Sequence, residues 1–90
     1  MEVKDDRTQK ILDERQKTHG NFSDHASVTQ ELKGVLQRNP DLIAKLSVTQ
    51  RESIEMIFHK VGRILAGDPN FKDHWDDISG YAMLVSIGLK

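Results

Sequence analysis

The 90-residue chain has no cysteine, two prolines, one tryptophan and one tyrosine. Without thiols it can form neither a disulfide nor a thiolate metal centre, which fits a reducing cytoplasm, and cytoplasmic residence is the expectation. Both prolines lie in polar surroundings ("RNPD" and "GDPN"), so neither interrupts an apolar segment. No apolar run approaches the roughly 18–20 residues a membrane span requires. The opening "MEVKDDRTQK" is too charged for a secretory leader. Positive charge is not in excess either. Thirteen Lys and Arg stand against 14 Asp and Glu, the net charge is −1, and no two basic residues are adjacent. Nucleic-acid binding, which depends on a basic face, is therefore disfavoured.

What remains is a foldable composition, 37% hydrophobic and 30% charged, in a chain long enough for one small domain. Domains of this size gain stability readily by oligomerising. Apolar spacing is helical, with no strict alternation long enough for a strand. A first helix is expected from about Val3 to Thr18, mostly polar, stopped by Gly20. A second begins with a cap at Asn21 or Ser23 and runs to about Arg38, with Val28, Leu32, Val35 and Leu36 on one stripe. "DLIAKL" adds one or two further turns. A third long helix starts at the T-x-x-E capping box Thr49–Glu52 and carries Ile54, Ile57, Phe58, Val61, Ile64 and Leu65 inward. A fourth begins near Asn70 to Asp73 and continues to the C-terminus. Its expected core face is Trp75, Ile78, Tyr81, Ala82, Val85 and Leu89. Met83, Leu84 and Ile87 cover its other sides, and a helix that is apolar all round must be buried all round. The fold class is therefore all-α, a compact bundle of about four helices that dimerises through its C-terminal helix.

Charge is concentrated in two places. Glu52 and Glu55 share one face of the third long helix with His59 and Arg63, opposite the core stripe. Asp73, Asp76 and Asp77 crowd the start of the last helix. E-x-x-E followed by D-x-x-D is a donor set suited to a hard divalent cation, Mg²⁺ or Mn²⁺, which takes carboxylate oxygens and neutralises polyphosphate. The same aspartates equally suit a first helical turn, where acids complement the macrodipole. An antiparallel packing of the two helices would place the two acidic groups at opposite ends, unless a partner subunit joined them. Lys60 and Arg63 suit either phosphate or an ion pair with the aspartates of the last helix. His19 and Asn21 flank a helix N-terminus, where free amides favour anions, although a C-cap glycine and an N-cap asparagine explain "THGNF" as well. The four histidines show no zinc-type spacing, so surface or pairing roles are expected of them. Trp75 is expected to anchor the core.

Three segments together carry a resemblance: Arg15 with Thr18–Gly20 and Phe22, then Lys60, Arg63–Leu65, Gly67 and Asn70, then Asp73, Asp77, Ile78 and Gly80–Ala82. Over most of the chain this pattern resembles a family of small phage and prophage proteins of unassigned function. That family is distantly similar to the MazG-type all-α nucleoside triphosphate pyrophosphohydrolases. The resemblance implies a Mg²⁺-dependent or nucleotide-binding domain in a bacterial host, with Glu52, Glu55, Asp73 and Asp76 or Asp77 as metal ligands. Asp73 stands where those enzymes carry a glutamate. The alternative is a non-catalytic helical accessory protein that binds a phage or host protein through its apolar C-terminal helix.

Overall fold

A computed structural model of the chain describes residues 6–89. Five helices follow one another: α1 (Asp6–His19), α2 (Phe22–Gln37), the single turn α3 (Pro40–Ile43), α4 (Val48–Ala66) and α5 (Lys72–Ser86). The all-α expectation holds, and the described residues contain no strand. The expected start of the first helix at Val3 lies outside the described residues.

Local chemistry sets most boundaries. Gly20 at φ 78° ends α1 in the left-handed conformation, its amide bonded to the Gln16 carbonyl at 2.8 Å. Asn21 caps α2, its side-chain oxygen accepting from the Ser23 amide at 2.7 Å. The capping box of α4 is Ser47 with Gln50, not Thr49 with Glu52. Both tetrapeptides fit the motif. The earlier one prevails because Val48 and Thr49 tolerate helical geometry, and starting there adds backbone bonds such as Arg51 N–H to the Ser47 carbonyl at 3.0 Å. On α5 the N-cap is Phe71, which makes no side-chain bond, so Asp73 lies in the first turn without capping it. The helix ends at Ser86 rather than running on.

α4 is the central helix, with α2 against one side and α5 against the other, while α1 lies lightly across the end. The bundle is elongated rather than compact. Its radius of gyration is 16.1 Å, with extents of 53 × 27 × 22 Å, against about 12 Å for a close-packed chain of this length. No apolar side chain among the described residues is fully buried. Ile54, Ile57, Phe58, Val61 and Ile64 line α4 as expected but stay half-buried, and Leu65 is exposed. The groups that are fully enclosed are polar: His25 and Thr29 from α2, Ser53 and Lys60 from α4, and His74 from α5.

Trp75 is not the core anchor. It is 52% exposed and its indole N–H donates to the Pro69 carbonyl at 2.8 Å. His74 points inward instead, because His74, Ile78, Tyr81 and Val85 form one helical line at i, i+4, i+7 and i+11, and that line faces α4. The Ser53 hydroxyl donates to the Tyr81 carbonyl at 2.8 Å, holding the two helices in antiparallel register. Gly62 brings α4 close to α2: a Cβ there would stand 2.6 Å from both His25 Cδ2 and Thr29 Oγ1.

The α1–α2 corner packs on the α4–α5 corner backbone to backbone. A Cβ on Gly20 would lie 2.2 Å from the Ala66 carbonyl oxygen, and one on Gly67 would lie 2.4 Å from that of Thr18. The Thr18 carbonyl accepts from the Asp68 amide at 3.1 Å and from His74 Nε2 at 2.7 Å. Residues from within the three segments that carry the resemblance, Thr18, Asp68 and His74, thus meet at one backbone oxygen.

Candidate anion-binding site

Beside this junction, α1, the first turn of α2 and one residue of α4 enclose a cavity of about 590 Å³. Arg15 and His19 reach it from α1, where they are four residues apart on one helical face. Asn21, Phe22 and His25 reach it from the start of α2, and Arg63 from α4. Its one carboxylate, Asp13, accepts from the Gln9 amide at 2.9 Å. Neither guanidinium has a hydrogen bond or ion pair among the described residues.

The electrostatics of the cavity are predominantly positive. Burial, and then the charge of Arg15, push the Arg63 guanidinium below its ordinary range, against a smaller opposing pull from Asp77 and Tyr81. Burial, and then Arg63 and Arg15, hold the His19 imidazole down at about 4. His25 is lowered by burial and then by Arg63, and His59 by burial and then by Lys33 and Arg63. The Thr18 hydroxyl lies 3.1 Å from the Arg15 carbonyl and 2.6 Å from His19 Nδ1, which fixes the imidazole against the end of α1.

His25 Nε2 and Thr29 Oγ1 are enclosed without a regular hydrogen bond. The His59 carbonyl favours the protonated form of His25 without offsetting its burial. His25 is buried and His59 half-buried, their rings 5.6 Å apart at a steep angle.

The expected residues separate into two groups. Arg63 and His19 come together in the cavity; Lys60 does not line it. Lys60 is 7% exposed and its ammonium lies 2.8 Å from the Asp77 carboxylate, which it draws below the ordinary range. That answers one of the two uses open to Lys60 in favour of the ion pair. The five acids do not meet. Glu55 lies 4.0 Å from Arg51, Asp76 pairs with Lys72 one turn away, and Asp77 is held by Lys60. Because α4 and α5 run antiparallel, Glu52 and Glu55 sit beside the far end of α5 from Asp73, Asp76 and Asp77. Among the described residues no three His, Asp or Glu side chains converge on a metal-sized space. Arg15 and His25 were not expected at the site. The signal for Arg15 was its position one turn before His19 on the same face.

Residues 2–87 match the domain of unknown function DUF6378, and the chain belongs to that family. No curated protein and no solved structure matches it. No helix among the described residues is long and apolar enough to cross a membrane.

Proposed function

We propose that the chain is a helical domain that binds the phosphate groups of a nucleotide or a related phosphate ester in the cavity between α1, α2 and α4. The observation that supports this reading is the pair Arg15 and Arg63, two guanidinium groups that line one cavity at a helix N-terminus and make no hydrogen bond or ion pair among the described residues. Guanidinium groups suit phosphate oxygens because their planar donor forks match them two bonds at a time. The N-terminal end of α2, whose dipole favours an anion, borders the same space through Asn21 and Phe22. His19, charged once an anion is present, supplies a further donor, and Asp13 at the rim suits a sugar hydroxyl. A divalent ion enters this reading as a companion of the phosphates, since the chain's own acids are dispersed along α4 and α5.

Thermal melting with pyrophosphate, a nucleoside triphosphate and the corresponding nucleoside tests it. A rise in Tm with both phosphate-bearing ligands and none with the nucleoside is expected. Arg63→Gln and Arg15→Gln should each remove the rise. An unchanged Tm at millimolar pyrophosphate and triphosphate would remove the reading. The second reading, a non-catalytic accessory protein, draws on the uncovered apolar face of α5.

A further inference from the structure

On the side of α5 turned away from α4, the residues are Asp73 and Asp76, followed by Gly80, Met83, Leu84 and, just past the helix end, Ile87, while Asp77 turns to Lys60 of α4. Met83 is 56% exposed, Leu84 62% and Ile87 71%, and nothing lies within 4 Å of where a Cβ on Gly80 would stand. Spacing at 80, 83–84 and 87 is the three–four alternation of a helix–helix seam. We infer that this face of α5 is an interface with a second copy of the same chain, packed antiparallel.

Three observations select that occupant. Residues 78–89 contain no charge, so two copies of the segment can meet without repulsion or an unpaired buried ion. The single chain buries no apolar side chain completely, and a chain of this length depends on apolar burial from outside when its own interior cannot provide it. Orientation follows from the aspartates. A parallel pair would set Asp73 and Asp76 beside their own copies, whereas an antiparallel pair places them at opposite ends and opposes the helix dipoles. The midpoint of the apolar seam falls between Met83 and Leu84, and Gly80 gives the facing helix room to approach. The cavity of α1, α2 and α4 lies elsewhere, so this inference stands independently of the phosphate reading.

Light scattering after size exclusion at micromolar concentration should give the mass of a dimer, with a Tm that rises with protein concentration. Gly80→Trp fills space that is open in the single chain, and Leu84→Lys changes a side chain already in water. Each should weaken the dimer about 30-fold or more. Helicity at high concentration should be kept in both variants, since Gly80 meets nothing within 4 Å and Leu84 is mostly exposed; loss of helicity at every concentration would count against the inference. The absence of native cysteine permits an orientation test. Met83→Cys should cross-link two copies on oxidation and Asp76→Cys should not. A monomeric wild-type mass, a dimer unaffected by both seam variants, or equal cross-linking at position 76 would overturn it.

Discussion

His74 on α5 donates from Nε2 to the Thr18 carbonyl at the end of α1, a 2.7 Å bond between residues 56 apart in sequence, with 1% of the histidine exposed. A carbonyl only accepts, so the ring carries its proton on Nε2. Replacement by alanine opens a void at a closed site and deprives a buried carbonyl of one of its two donors. His74→Ala should cost about 2–4 kcal/mol in urea unfolding followed by Trp75 fluorescence. His74→Phe, which restores volume without the N–H, should recover part of that loss.

The two corner glycines give a second test. Gly20→Ala forces a side chain into the left-handed region and against the Ala66 backbone, and Gly67→Ala meets the Thr18 carbonyl. Because the obstructing atoms are main chain, neither clash relaxes by a rotamer change. Each substitution should destabilise by at least about 2 kcal/mol, read from the urea midpoint.

Lys60 and Asp77 are coupled asymmetrically. Asp77→Asn leaves an enclosed ammonium without its counter-charge, whereas Lys60→Met removes the charge and fills the same space, and its half-exposed partner returns to water. Asp77→Asn should therefore lower Tm more than Lys60→Met, and the double variant should melt near the Lys60→Met value.

Acid should unfold the chain early. His19, His25 and His59 all titrate below 6.5 when folded, His19 at about 4. Between about 4 and 6.5 the unfolded chain therefore binds more protons than the folded one, so stability is complete above that window and falls as pH drops through it. The depressed Asp77 carboxyl acts in the same direction below its ordinary value of 3.8. The urea midpoint should be lower at pH 5 than at pH 7. Phosphate bound near His19 would favour the imidazolium, so calorimetry at pH 6 in buffers of different ionisation enthalpy should record proton uptake on binding.

Helix number and approximate limits were legible because caps and apolar spacing act locally. The inward line of α5 was not. Its period allows either His74 or Trp75 to lead, and hydrophobicity favours tryptophan, but the carbonyl waiting at Thr18 is tertiary information. The capping box of α4 failed for a related reason: two overlapping motifs compete, and only the whole helix decides. At the site, Arg63 and His19 were read from charge and from proximity to a helix N-terminus. Arg15 belonged to the same motif yet was passed over, because pairing it with Arg63 requires knowing how α1 crosses α4. The pairing of Glu55 with Arg51, Asp76 with Lys72 and Asp77 with Lys60 was not legible, because helical spacing predicts which side chains share a face, not which neighbour neutralises them.

An interior of histidine, threonine, serine and lysine acts as a set of addresses more than as an adhesive. The enclosed Ser53, Lys60 and His74 each meet one partner at one distance, so a slipped register is rejected, yet little oily surface leaves water. Such a chain knows its shape better than it can hold it. Were a second copy the source of cohesion, as proposed, dilution would work on it as a denaturant does. The amount folded would then grow faster than the amount synthesised, and a scarce copy would be the one most exposed to proteolysis.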